Sequence, residues 1–232
     1  MNEEIKHIYV ISVFPEIVNN FINFGVLKKG QEKFLVKIHT LDLRDFSDSN
    51  GHIDDKPYGG GAGMVLQAKP LIEATRYAKS KLKKSKCVYL SPKGEKVNQE
   101  KITNAANQDD LIIVAGRYEG VDQRFIDLEV DEEWSIGDYI LSGGEVAACV
   151  LIDAIARMIP GVLGNEDSNK DDSFSDGLLE HPHYTRPEIV ENLSVPEVLL
   201  SGNHEEIRKW REKQALSETN TKRSDLIKKK LS

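Results

Sequence analysis

The chain has 232 residues, a formal net charge of −7 at pH 7, 39% hydrophobic and 30% charged residues. That length fits one large domain, or a domain with a small appendage. The composition excludes low-complexity disorder, collagen and a whole-chain coiled coil. No apolar run reaches the roughly 18 residues of a membrane span, and the longest one, Val146 to Ile159, is interrupted by Asp153 and Arg157.

The opening residues, Met1 to Lys6, lack the charged-then-apolar build of a signal peptide. Cys87 and Cys149 are the only cysteines and both sit in apolar stretches. A disulfide framework and a four-cysteine zinc site are therefore excluded, and free buried thiols in a reducing, cytoplasmic compartment are expected.

Strand-like and helix-like runs alternate along the chain. His7–Phe14 reads as a buried strand, with Pro15 at a helix start. Phe34–Leu43 alternates like a strand. Pro70–Leu82 has helical spacing, with Leu71, Ala74, Ala78 and Leu82 on one face. Cys87–Leu90 reads as a strand, Asn98–Asn107 as a helix, Leu111–Ala115 as a strand and Val146–Ile159 as a strongly apolar helix. This alternation predicts an α/β domain with a mainly parallel sheet over residues 1–160. Residues 161–177, rich in Gly, Asp, Asn and Ser, read as an interdomain linker. Residues 178–232 read as a small helical domain, in which Asn203 caps a helix over Glu205–Leu216. Residues 201–232 carry nine basic and five acidic side chains. A basic end on an acidic body suits a phosphate-facing surface, and equally a solvated helical tail.

Glycine-rich loops carry the candidate chemistry. Tyr58-Gly59-Gly60-Gly61-Ala62-Gly63-Met64 has four glycines in five positions. It matches neither the P-loop nor the dinucleotide pattern, so it is a tight loop near a ligand or neighbouring chain, or else a structural turn. Three more small-residue loops each follow a strand-like run: Leu90–Gly94, Ala115–Gly120 and Ser135–Glu145. In a parallel sheet, ligands collect at the carboxyl ends of strands. Three such loops could therefore line one pocket with backbone groups suited to an adenine edge and a ribose. His181 and His183 flank Pro182 and could reach a metal, but ordinary loop histidines fit better. There is no Gly-x-Ser-x-Gly elbow and no paired-histidine zinc protease motif.

Several long strings go further. They are Pro57–Met64, Tyr89-Leu90-Ser91-Pro92, Gly116-Arg117-Tyr118-Glu119-Gly120-Val121-Asp122, Asp131–Tyr139, Leu141-Ser142-Gly143-Gly144-Glu145, Ile159–Gly164 and Pro182-His183-Tyr184-Thr185-Arg186-Pro187. Along nearly its whole length the sequence resembles the bacterial tRNA (guanine-N1)-methyltransferases, knotted S-adenosylmethionine enzymes of the SPOUT class. The resemblance implies a deep trefoil knot built from the three loops, a rare exception to unthreaded connections that periodicity does not reveal. It implies that the methyl donor lies bent in that knot. Gly116 and the run Ile136, Gly137, Asp138, Tyr139, Ile140 and Leu141 would hold its adenosine, and Ser135 would also bind the donor. Tyr89, Leu90, Ser91, Pro92, Tyr118, Trp134, Gly143 and Gly144 would line the rest.

The same resemblance implies an obligate homodimer with two composite active sites and a tRNA substrate. The target would be N1 of the guanine 3′-adjacent to the anticodon, flipped out of its loop. Asp172 aligns with the general base, Arg157 with the residue supporting charge on O6, and Glu119 would meet the guanine or the donor. Family members respond to Mg2+, which could support the same charge; its ligands are not assigned. Arg186, Arg208, Lys209 and Arg211 are candidate contacts to the tRNA backbone, and Tyr184 is a candidate stacking surface. The rival readings are a nucleotide-binding module without chemistry and a knotted methyltransferase acting on another RNA guanine.

Overall fold

The computed structural model describes residues 5–48, 51–164 and 172–231, the side chains of 228–231 excepted. The chain divides into two compact units, residues 1–164 and 165–232.

The first unit is built on a five-stranded parallel sheet ordered β2-β1-β6-β5-β7. Its strands are β1 (Lys6–Ser12), β2 (Val36–Asp42), β5 (Ser85–Lys96), β6 (Asp110–Ala115) and β7 (Glu132–Ser135). The middles of the three central strands, Ile8–Ile11, Cys87–Leu90 and Leu111–Ala115, are continuous apolar runs because both faces are covered there, as a parallel sheet requires. Alternate side chains feed two cores. Ile8, Val10, Val88, Leu90, Leu111 and Ile113 face one core. Tyr9, Ile11, Cys87, Tyr89, Ile112 and Val114 face the other.

On the first face lie α1 (Pro15–Ile22), α2 (Gly25–Glu32), α4 (Gln99–Asn107) and α6 (Glu145–Ala156); on the second lie α3 (Ala68–Ser80) and α5 (Gln123–Glu129). Pro15 opens α1, where a missing N–H costs nothing. The Lys6 ammonium, on a residue only 7% exposed, closes the end of α4 by donating to the carbonyls of Ala105, Gln108 and Asp109. The strand expected from Phe34 starts only at Val36, because Phe34 stands at φ 58 with its ring exposed. A two-stranded ribbon, β3 (Asp54–Asp55) with β4 (Val65–Leu66), flanks the glycine-rich loop. Both cysteines are free and buried. Burial pushes the Cys87 thiol up to about 12 and, with Glu145 nearby, Cys149 to about 11, so neither offers a thiolate near neutral pH.

The second unit carries a short hairpin, β8 (Ile189–Val190) with β9 (Leu193–Ser194), turning through Glu191 and Asn192 at φ 46 and 67. Helices α7 (Glu197–Leu200), α8 (His204–Lys222) and α9 (Ser224–Leu231) follow. The Asn203 side chain accepts from the Glu206 N–H at 3.3 Å, the expected cap, and α8 runs on to Lys222.

Candidate functional site

A cleft of about 440 Å³ opens at the carboxyl ends of β5, β6 and β7, within the size range of small-molecule sites. Three loops form its walls. The first, Ser91–Lys93, interrupts β5 where its register with β7 shifts between Leu90 and Glu95. The second follows β6 through Gly116–Gly120. The third runs from Ile136 after β7 to Gly144 before α6.

Backbone contacts lock the second loop to the third. The Gly144 N–H donates to the Gly116 carbonyl at 2.8 Å, and Arg117 bridges to Gly143. A Cβ on Gly144 would lie 2.8 Å from the Ala115 Cα, so only glycine permits this approach. A Cβ on Gly116 would lie 2.8 Å from the ring of Tyr89. Burial, with Glu133 beside it, pushes that phenol up to about 12, so Tyr89 is a neutral wall of the cleft.

The lining mixes glycines with apolar, aromatic and charged side chains. Of the residues assigned to the donor from sequence, Tyr89, Leu90, Ser91, Pro92, Gly116, Tyr118, Trp134, Ser135, Ile136, Gly137, Tyr139, Ile140, Leu141, Gly143 and Gly144 line this one cleft. Asp138 does not; its side chain is 74% exposed and ion-paired with Lys96. Lys93, Arg117, Gly120, Val121, Gln123, Ile126, Glu133, Ser142 and Ala147 also line it and were not singled out from sequence. Arg117, Gly120 and Val121 lie inside one of the quoted strings, Glu133 inside a second and Ser142 inside a third, so adjacency was the available signal.

Glu119 lines the cleft as well, and connects it to the glycine-rich loop. The Glu119 N–H donates to the Met64 carbonyl at 3.0 Å, and a Cβ on Gly63 would fall 2.5 Å from the Glu119 Cγ. Gly59, Gly60, Gly61 and Gly63 all have positive φ, between 80° and 129°. The loop is thus a tight turn packed beside the cleft through Glu119.

Arg157 follows the last turn of α6, its N–H bonded to the Asp153 carbonyl at 3.1 Å. It continues a stripe of α6 that starts with Val146 and Val150, which are 54% and 49% exposed. Asp172 lies in the second unit, in a turn where its carbonyl accepts from the Ser175 hydroxyl at 2.6 Å. Among the described residues no group of three or more His, Cys, Asp or Glu could hold a metal ion. The rings of His181 and His183 lie 4.6 Å apart, and Trp210 of α8 sits 6.4 Å from His181 and 6.3 Å from Tyr184.

The basic side chains of the second unit fall into two groups. Arg208 pairs with Glu212 at 2.6 Å, and Lys209 with Glu205 and Glu206 at 3.0 and 3.3 Å. Arg186, Arg211 and Lys213 make no ion pair among the described residues.

Known proteins share this sequence over most of its length. A family model described as tRNA (Guanine-1)-methyltransferase TrmD matches residues 6–229. The chain is 52% identical over 223 residues to a tRNA (guanine-N(1)-)-methyltransferase of Buchnera aphidicola, covering 96% of this chain and 85% of that one. It is 52% identical over 219 residues to the protein of that name from Marinomonas, covering 94% and 88%. For Haemophilus influenzae the figures are 52% over 220 residues, 94% and 89%.

Proposed function

The chain belongs to the tRNA (guanine-1)-methyltransferase family, and on that premise we propose that it transfers the methyl group of S-adenosylmethionine to N1 of the guanine 3′-adjacent to the tRNA anticodon. The observation that carries this reading is the cleft of three interlocked loops at the carboxyl ends of β5, β6 and β7. Its glycine-rich walls suit an adenosine recognised through backbone groups, and its size suits the donor. The close crossings of the three loops support the knotted form of the fold.

Guanine N1 carries a proton at neutral pH and is a poor nucleophile. In this reading the Asp172 carboxylate removes that proton as N1 attacks the sulfonium methyl. The C–S bond breaks with its electron pair going to sulfur, and the donor leaves as a neutral thioether. General-base help of this kind contributes ~10²–10⁴ in rate. Arg157 supports the negative charge that develops on O6, and Glu119, on the cleft wall, meets the guanine or the donor. The described residues provide no metal cluster, so no step is assigned to Mg2+.

The reaction is proposed to take place in a homodimer. Val146 and Val150, each about half exposed, lie on a stripe of α6 that continues to Arg157. A second copy covering that stripe would place Arg157 at the interface, in keeping with sites completed by two protomers. No described helix is long and apolar enough to cross a membrane, and the enzyme is proposed to meet its tRNA in the cytoplasm. Arg186, Arg211 and Lys213 are the cations of the second unit best placed to meet phosphates, and Tyr184, half exposed beside Trp210, offers a stacking face.

The test is incubation with isotope-labelled S-adenosylmethionine and an unmodified tRNA transcript, followed by digestion and mapping. One N1-methylguanosine, 3′ to the anticodon, is expected. Donor binding without transfer would favour the nucleotide-binding module, and methylation elsewhere would favour another RNA target.

A further inference from the structure

Beneath the cleft lies a carboxylate that the proposed chemistry does not use. Glu145 is the first residue of α6, and its side chain is only 2% accessible. A carboxylate buried this deeply is costly unless charge and hydrogen bonds offset it. Two groups do so: the Ser12 hydroxyl donates to its Oε1 at 3.0 Å, and the Arg117 Nε lies 3.6 Å from the same oxygen.

Arg117 is held on every side. Its guanidinium lies 4.4 Å over the Phe14 ring, and Nη1 donates to the Ser142 carbonyl at 3.1 Å. Its Nε is buried and makes no hydrogen bond, so the attraction of Glu145 is what compensates it. Yet the side chain is still 24% accessible and lines the cleft. Gly143 leaves room for the pair. A Cβ there would fall 2.4 Å from the Glu145 Oε2 and 2.9 Å from the Arg117 Nε.

We infer that Glu145 is a positioning residue of the cleft: by holding the Arg117 guanidinium it fixes the second loop against the third, and so preorganises the site for the methyl donor. The inference rests on the donor reading given above. Arg117 leaves the second loop and binds the third through Ser142, while Glu145 anchors it from below at the start of α6. Without the carboxylate, the guanidinium has a buried N–H and no opposing charge, and it gains by swinging out to water. The two loops would then lose their shared brace. An acid at a helix start also has a bland explanation, the attraction of the helix N-terminus. That explanation concerns the stability of α6 and gives Arg117 no part.

The test is calorimetric titration of S-adenosylhomocysteine into wild type, Glu145→Gln, Arg117→Ala and the double variant, with the melting temperature of each free protein. The amide keeps the size of the acid and can still accept from Ser12. Glu145→Gln is expected to raise Kd at least ~10-fold, with the free protein losing no more melting temperature than Arg117→Ala does. The donor KM should rise while kcat at saturating donor stays near wild type. Adding Glu145→Gln to Arg117→Ala should weaken binding no further, because the carboxylate acts through that arginine. A Glu145→Gln protein that melts lower but binds with wild-type Kd would overturn the inference, as would additive effects in the double variant. If Glu145→Gln does not fold, the carboxylate is structural and the inference fails, unless Arg117→Ala lowers the melting temperature equally and itself loses donor binding. Wild type that binds no donor would instead overturn the donor reading, and the inference with it.

Discussion

A Cβ on Gly94 would lie 2.5 Å from the backbone nitrogen of Trp134. The carbonyl carbon of Glu133 would be equally close. The segment that leaves the cleft along β5 therefore crosses β7 main chain against main chain, with room for hydrogen alone. Rotamer changes cannot relieve such a contact. Gly94→Ala is expected to destabilise the first unit by ~1–3 kcal/mol, the usual cost of overpacking, and to weaken donor binding because Trp134 and Ser91–Lys93 all line the cleft. Gly164, where a Cβ meets nothing within 4 Å, is the control. Urea denaturation of both alanine variants checks this: Gly164→Ala should match wild type and Gly94→Ala should not.

How much of this was legible depends on where each residue's partner lies. β1 and β6 announce themselves, because strands buried on both faces must be apolar throughout. β7 does not. Its residues Glu132-Glu133-Trp134-Ser135 carry no apolar run, and Glu132 is tolerated there because Lys86 and Lys101 come from other elements to meet it. The helix Gly25–Glu32 was missed for a local reason: two glycines and three charges leave only Val26 and Leu27 as apolar signal. The cleft lining was legible mainly as a resemblance of whole strings. Its construction was not, since the Gly116–Tyr89 and Gly144–Ala115 approaches join residues 27 and 29 positions apart. Buried Glu145 reads in sequence like any surface acid. Arg208 and Lys209 read as candidate phosphate contacts, but α8 supplies acidic partners for both one turn away.

Glu132 gives the fold a defined acid sensitivity. Burial works to raise its carboxyl, but hydrogen bonds from Lys86, the Trp134 indole and Lys101 outweigh it and pull it from 4.5 to about 2. A depressed carboxylate stabilises the fold above its unfolded value and loses that contribution as pH falls through the folded one. Allowing for solvent screening of a side chain 31% accessible, the contribution is ~2–3 kcal/mol. Wild type should thus exceed Glu132→Gln in stability at pH 7, and the gap should close between about pH 4.5 and pH 2. Denaturation at several pH values measures it; a gap independent of pH would show that the carboxylate's charge is not what stabilises.

The two groups of cations in the second unit should behave differently toward tRNA. Arg211 and Lys213 are unpaired among the described residues, so their counterions are available for release on binding phosphate. Arg208 and Lys209 must first give up Glu212, Glu205 and Glu206. Each cation that meets a phosphate steepens the dependence of log K on log salt by roughly 0.7–0.9. Replacing Arg211 and Lys213 with alanine should flatten the tRNA slope by one to two such increments, and replacing Arg208 and Lys209 should flatten it less. Donor affinity, which does not draw on the release of counterions from a polyanion, should vary far less across the same salt range. Filter binding of tRNA and calorimetry of the donor give both slopes.

Asp172→Asn separates chemistry from binding. The amide keeps the shape of the carboxylate and most of its hydrogen bonding, but it cannot take the proton from N1. Binding of donor and tRNA should therefore stay near wild type while the single-turnover methylation rate falls at least ~10²-fold, the lower end of general-base catalysis. Raising the pH should restore part of the loss, because solvent hydroxide then removes the N1 proton that the amide cannot. Arg157→Ala should slow the same step without that recovery, since charge on O6 stays unsupported at any pH. The proposed dimer adds a further arm. If two protomers complete each site, mixing inactive Asp172→Asn with an inactive cleft variant such as Gly144→Ala should restore partial activity in the heterodimers. Quench-flow methylation of one tRNA, with each variant alone and mixed, reads all of these. A near-normal rate for Asp172→Asn at neutral pH would remove Asp172 from the reaction. Mixed variants that stay as inactive as either parent would argue for sites built within one chain.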